Sequence, residues 1–337
     1  MEKLASFAYA ACELGNPVRI LLQAVKKMSE RMALASKIVL SVSLGSSSRD
    51  MRIETVIGGT HFVIIRRGTN GSIPEARRII QEADGKVDVI CLGGIDRWLR
   101  IGKRVYEIRD ARKLALVAKI TPVVDGSGLK DTLERLAIYW LEVNRIVQFR
   151  DTKVLLMSGL DRFGLAEELV IRKARVVFGD MVFALGIPMP IRSMFFLELL
   201  ARLLLPIVTR VPFTWLYPTG KQQESFVERG WELYDQAEWI TGDFLYIRRY
   251  LPPWIGGKTV LTNTIRPADI ELLRSRGCRR VITTTPLFLD EQRNQFSFGT
   301  NVLEGAVLAL LGQHHATRYQ YLEMIKKLGW VPQVINL

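Results

Sequence analysis

Residues Lys153 to Asp180, KVLLMSGLDRFGLAEELVIRKARVVFGD, constrain this chain more than any other stretch. Val154 to Met157 form an apolar run of strand length, suited to burial on both faces of a sheet. Gly159 to Gly164 make a glycine-bearing turn, Leu165 to Arg172 read as a helix, and Arg175 to Phe178 form a second apolar strand closed by Gly179 and Asp180. Strand, turn, helix, strand and terminal carboxylate is the order of a dinucleotide-binding βαβ unit. The spacing predicts cofactor contacts from Gly159, Asp161, Arg162, Phe163 and Gly164, where the free N–H groups of a helix start favour a pyrophosphate. Asp180 is placed to take the two ribose hydroxyls. Asp161 stands where the fingerprint wants its second glycine, so a phosphate there needs Arg162 or a cation between them. An ordinary βα turn is the plainer reading of the same residues.

At 337 residues, a prior of roughly 150 residues per domain predicts two domains. The hydrophobic fraction of 48% and mean hydropathy of +0.13 are ample for packed cores and exclude a disordered chain. Cys12, Cys91 and Cys278 are far apart with no CxxC, which predicts neither a disulfide framework nor a zinc site and fits the cytoplasm. His314 and His315 are adjacent, point different ways on a helix, and make a poor metal site, so no metal is expected. The net charge of +13 and pI near 9.8 come from scattered pairs such as Arg77-Arg78 and Arg248-Arg249. Without a basic tail or a recognition motif, that charge points to anionic ligands or anionic membrane surfaces and not to nucleic acid.

Residues 1–34 hold an apolar patch broken by Pro17 and Arg19, which fits neither a secretory signal nor a membrane span. A helical extension, or a stretch upstream of a translation start at Met32, is expected. Residues 35–150 alternate strands and helices, which predicts an α/β substrate domain. Strand Lys37–Ser43, a hairpin turning at Gly58-Gly59, a helix from Pro74, strand Val87–Leu92, a second hairpin near Gly102 and a helix from Asp110 precede a long helix from Asp131 to about Gln148. Three loops after apolar strands pair glycine with polar groups: LGSSSRD, LGGID and DGSGLK. Ligands of open α/β sheets gather at such strand ends. Lys130, with Asp125 or Asp96 orienting it, is suited to proton transfer at a hydroxyl or carbonyl, provided the lysine is partly desolvated. Ser46, Arg49, Gly94 and Ser127 are the expected substrate contacts. Asp125 also reads as a simple turn residue, and Cys91 as inert strand packing.

Residues 151–312 read as a Rossmann-like, doubly wound domain with an apolar insertion over 181–220 and a peripheral tail at 313–337. The insertion carries Met194 to Val208, with Pro206 expected to kink a helix. A buried helix, a homodimer interface, a pocket wall or a peripheral membrane contact through 194–213 all suit it. Three later strands end in TGD, TNT and TTT. They offer Thr241, Gly242, Asp243, Asn263, Thr264 and Thr284 to a ribose, nicotinamide or adenine.

The runs LGGID (92–96), TPVVDGSGLKDTLER (121–135), DRFGLAEEL (161–169), FGDMVFALGIPMPIRS (178–193), WLYPTGKQQE (215–224), TGDFLYIRRY (241–250) and SFGTNVLEGA (297–306) together resemble a bacterial family commonly named quinate 5-dehydrogenase, or shikimate/quinate dehydrogenase-like. The resemblance covers nearly all of Lys37 to Gly312. It implies a substrate domain, a nicotinamide-binding domain and a closing helix. The expectation is therefore an NAD-dependent oxidoreductase passing a hydride between the cofactor and a small hydroxyl- or carbonyl-bearing substrate. NADP is less favoured, because Asp180 would repel its 2′-phosphate. The alternatives are a membrane-surface acyl or aldehyde reductase and a non-redox nucleotide- or phosphometabolite-binding protein.

Overall fold

The computed structural model describes residues 36–212, 226–289 and 295–337. The expected 1–34 extension and residues 213–220 of the insertion lie outside the described residues. The first half follows the alternation of its sequence: β1 (Lys37–Ser43), β2 (Met51–Ile57), β3 (Thr60–Gly68), α1 (Ile73–Ala83), β4 (Val89–Gly93), a hairpin of β5 (Trp98–Ile101) and β6 (Arg104–Glu107), α2 (Arg109–Ala115), β7 (Val123–Val124) and α3 (Ser127–Val143). The second half holds β8 (Lys153–Leu156), α4 (Phe163–Ile171), β9 (Arg175–Phe178), α5 (Met194–Val208), α6 (Trp231–Gln236), β10 (Trp239–Thr241), α7 (Phe244–Arg249), β11 (Thr259–Thr262), α8 (Pro267–Ser275) and β12 (Arg280–Thr283). A short pair, β13 (Phe288–Leu289) and β14 (Gln295–Phe296), precedes α9 (Thr300–Leu311), α10 (Arg318–Lys327) and β15 (Gln333–Asn336).

Two sheets result. The first runs β2-β3-β1-β4-β7 and is parallel except for β2, which folds back on β3 through the Gly58-Gly59 turn, with Ile57 opposite Thr60. The second runs β15-β12-β11-β10-β8-β9 and is parallel except for β15. This is a mixed α/β fold built on two largely parallel sheets. Alternate residues of β1 feed different cores, as a pleated strand requires. Leu40 and Val42 pack with α1 and α2, while Val39 packs with α9 and α10. The core that holds Leu40 continues through Ile138 and Leu141 of α3 into Val154, Leu156 and Trp239 of the second sheet, so the two halves share apolar packing.

The chain crosses between the halves more often than its sequence suggests. The helix α9, assigned by sequence to the second domain, packs on the first sheet. A Cβ on its Gly305 would stand 2.4 Å from Cys91 Sγ and 3.0 Å from Val39 Cγ1, so glycine is what lets this helix lie so close to the sheet. The expected peripheral tail is also integral. Tyr321, Met324 and Ile325 of α10 complete the same core, and β15 closes the edge of the second sheet against β12. Helix α3 starts at Ser127, four residues before the expected Asp131, on a left-handed Gly126 (φ 94°) that sits against the Asn301 backbone. Helix α5 runs through Pro206, which has no N–H to donate to the Arg202 carbonyl, and ends two residues later at Val208. No helix among the described residues is long and apolar enough to cross a membrane.

Candidate functional site

In each sheet one strand has later strands added on both sides, which opens a crevice at its carboxyl end. In the second sheet that strand is β8, between β9 and β10; in the first it is β1, between β3 and β4. The helix α3 spans the two, with Leu129 and Leu133 in the core of the first half and Ile138 and Leu141 in the core shared with the second. The polar face between those apolar anchors carries Lys130 and Glu134, one turn apart, into the seam.

Lys130 lies where the two edges meet. Its Nζ is 3.2 Å from Asp96 Oδ2, from the loop after β4, and 3.0 Å from Asp161 Oδ1, from the turn after β8. Burial opposes the charge on Lys130, but Asp161 and Asp96 overcome it and hold the ammonium above the ordinary lysine value. The two carboxyls divide unequally. Burial pushes Asp96 well above the usual carboxylate range, with the neighbouring Asp161 adding to the effect against Lys130. Burial also pulls Asp161 upward, but Lys130 and Arg162 overcome it and hold Asp161 below that range. The cluster therefore presents an ammonium, an ionised carboxylate and a carboxyl inclined to keep its proton.

Arg162 ties this cluster to the second sheet. Its side chain is 5% exposed, donates to the equally buried Glu134, and reaches Asp243 Oδ2 at 3.4 Å. Asp243 caps α7 through Leu245 N–H and accepts from Asn263 Nδ2 at 2.9 Å. The expected cofactor residues Asp161, Arg162, Asp243 and Asn263 are thus brought together at the β8–β10 crevice. Thr241 ends β10 fully buried, and its hydroxyl is among those with no hydrogen-bond partner. Thr284 is tied into the sheet edge through its N–H to Thr262, Thr264 lies just beyond β11, and Phe163 is core. Gly242 has a φ of 148° and lies against Met157.

The glycine turn itself is closed by the chain's own groups. Asp180 is 4% exposed and accepts from Gly159 N–H at 2.8 Å, Leu160 N–H at 3.0 Å and Ser158 Oγ at 3.0 Å. Its carboxylate fills the place of the anion that such a turn could hold, and no ribose is needed to satisfy it. A Cβ on Gly159 would meet Leu197 of α5 at 2.7 Å, and one on Gly164 would meet Asp131 Oδ1 at 2.2 Å. With Asp131, Asp161 and Asp180 around it, the start of α4 does not fit the pyrophosphate of NAD or NADP in the manner the fingerprint predicts.

Asp125 is a turn residue. It accepts from Arg97 and Trp98 N–H at 2.6 and 3.0 Å and from the Ser127 hydroxyl at 2.8 Å, while Lys130 pairs with Asp96 and Asp161 instead. Ser127 is consumed in that turn. Gly94, at φ 69°, backs onto Gly45 N. Ser46 caps a short turn over Ser47–Arg49, and its carbonyl accepts from Arg66. The guanidiniums of Arg49 and Arg66 both crowd Gly45, 2.6 and 3.3 Å from where a Cβ would stand. Burial and the charge of Arg49 bring Arg66 down to about 10, against the pull of Asp50. Cys91 is fully buried, and burial pushes its thiol well up, as expected of inert packing.

Two carboxylates escaped the sequence reading. Glu134 follows Lys130 by four positions, and burial raises it against the pull of Arg162 and Lys130. Glu304 of α9 accepts from Gly126 N–H at 2.6 Å and from the Tyr321 hydroxyl at 2.5 Å, stapling the start of α3 to the closing helices. Burial and the nearby Asp125 push Glu304 up to about 7, although the Tyr321 and Gly126 donors work the other way. For Glu304 the available signal was a lone carboxylate on an otherwise apolar helix, whereas Glu134 shares its face with Lys130 and reads as an ordinary polar position.

Fold and site define an α/β protein of two largely parallel sheets whose strand-end loops meet at the part-buried Lys130. Residues 128–337, more than half of the chain, match the family described as Domain of unknown function (DUF8754), and the chain belongs to that family. Residues 38–125 match a second one, Domain of unknown function (DUF8753). No curated protein matches. Among solved structures, the chain is similar to an NAD-dependent malic enzyme from Thermotoga maritima, at 13% identity over 95% of this chain and 93% of the other, with a TM-score of 0.33. A malic enzyme from Entamoeba histolytica gives 13% identity over 93% and 67%, with a TM-score of 0.35. A substrate-binding protein of a sugar ABC transport system from Bordetella parapertussis gives 12% over 89% of both chains, with a TM-score of 0.33. Likeness this distant carries no argument about activity.

Proposed function

We propose that the seam is the working site of an acid–base enzyme acting on a small anionic molecule that bears a hydroxyl or carbonyl. The observation that carries this reading is Lys130 Nζ within hydrogen-bonding distance of both Asp96 and Asp161, where the carboxyl edges of the two sheets meet. A carboxyl that keeps its proton beside a fixed ammonium can deliver that proton to a substrate oxygen, and the ammonium then stabilises the carboxylate left behind. Asp161 holds the lysine in place, and Arg162, itself paired with Glu134, lies beside Asp161. Arg49, from the turn after β1, and Arg66, near the end of β3, supply positive charge for the anionic end of the substrate.

A nicotinamide-dependent oxidoreductase, quinate/shikimate dehydrogenase-like, is the second reading. The buried, unpartnered Thr241 hydroxyl at the β8–β10 crevice favours a ligand along that edge, away from the closed glycine turn. Thermal-shift titration separates the two, using hydroxy acids, keto acids, polyols, NAD, NADH, NADP and NADPH against wild type, Lys130→Met and Lys130→Arg. At least one acid is expected to raise the wild-type Tm and leave Lys130→Met unmoved. A shift with the dinucleotides would favour the second reading. Equal shifts in wild type and both variants would sink the seam as the site.

A further inference from the structure

The helix α5 has two contrasting faces. Leu197, Ala201 and Leu205 point into the core, while Phe195, Phe196, Leu199, Leu203 and Ile207 are 39–68% exposed on the other side. The turn before it adds exposed Leu185, Ile187 and Met189. These 23 positions therefore hold eight of the 20 exposed large apolar side chains among the described residues, too dense a cluster for ordinary scatter. The rim of this face is basic. Arg192 and Arg210 are exposed just before and just after the helix, and Arg202 lies along its edge, 3.2 Å from Glu198. Arg109 N–H donates to Thr209 O, which brings the half-exposed Arg109, Arg112 and Lys113 of α2 against the same end. Six cations there face three carboxylates, Glu107, Asp110 and Glu198, on a chain of net charge +13.

The geometry points to an anionic phospholipid surface as the occupant of this face, with α5 lying in the interface and its basic rim on the headgroups. Exposed aromatic and leucine side chains bordered by arginine are the features an interfacial helix needs. A second copy suits the face less well. A two-fold contact would bring two copies of this basic rim into one interface, on chains that each carry +13. The inference is independent of the seam site.

Vesicle co-sedimentation of the full chain tests it, with pure phosphatidylcholine beside phosphatidylcholine mixed with phosphatidylglycerol. Binding is expected with the anionic vesicles and is expected to fall roughly tenfold or more in Phe195→Ser/Leu203→Ser. Arg192→Gln/Arg210→Gln should weaken it at low salt, and its gap from wild type should close as salt is raised. All four positions lie at the surface, and an unchanged Tm verifies folding. Absence of binding to anionic vesicles, or undiminished binding by the apolar variant, would overturn the proposal. So would a dimer in sedimentation velocity that the apolar variant converts to a monomer, because the face would then belong to a second copy.

Discussion

Arg162→Met is expected to lower the stability of the folded chain by about 3–5 kcal/mol, the usual loss when one partner of a buried ion pair is removed. Arg162 is 5% exposed at its side chain and Glu134 is 3% exposed, so little solvent reaches the pair to soften the change. Methionine keeps most of the apolar stem but removes the donors that serve Glu134 and Asp243 and the positive charge beside Asp161. Glu134, with one oxygen already lacking a hydrogen-bond partner, is then left as a carboxylate in an apolar setting, or must take up a proton. Adding Glu134→Leu should return most of the loss, because the double variant no longer buries an unpaired charge. Urea unfolding of the two single variants and the double variant measures the coupling directly. A loss under about 1 kcal/mol in Arg162→Met would mean that the pair is solvated, contrary to its burial.

The second large effect is a pH dependence at Glu304. Its folded value of about 7 lies above the ordinary 4.5, so folding favours the protonated acid. The associated stability is fully present below about 4.5 and is lost as pH rises through about 7, a change of about 3 kcal/mol across that window. Glu304→Gln should abolish this contribution with the staple intact. The amide oxygen accepts from Gly126 N–H, and the amide nitrogen donates to a Tyr321 hydroxyl that turns from donor to acceptor. Unfolding free energies of wild type and variant, at about pH 5 and about pH 8, should therefore converge at the lower pH, with the variant the more stable at the higher. Parallel profiles would show that Glu304 is ionised as an ordinary carboxylate.

Much of this architecture was legible in the sequence. Buried strands such as Lys37–Ser43 and Val89–Gly93 announce themselves as apolar runs, and Gly58-Gly59 marks its hairpin. The loop after Val89–Gly93 led to Asp96, and the DGSGLK run after Val123–Val124 led to Lys130. What the sequence could not show was where apolar helices dock. TNVLEGAVLALL is greasy enough to suit either sheet, and contacts such as that of Gly305 with Cys91 assign α9 to the first. The strand β15 is short and half exposed, with little of the strand pattern that marks a core element. Asp180 gives the subtlest case. A carboxylate ending the second strand of a βαβ unit looks the same whether it waits for a ribose or caps the turn beside it. That distinction lies in the three donors that surround it here.

On the proposed reading Asp96, pushed up by burial and by Asp161, keeps a proton beside the Lys130 ammonium. A carbon-13 titration of the aspartate side-chain carboxyls, compared between wild type and Asp96→Asn, decides whether it does. The resonance lost in the variant is predicted to sit at the protonated position at neutral pH and to titrate well above the ordinary aspartate value of about 3.9. If that resonance instead belongs to an ionised carboxylate at neutral pH, Asp96 is only a counter-ion to Lys130 and the proposed proton transfer at the seam fails.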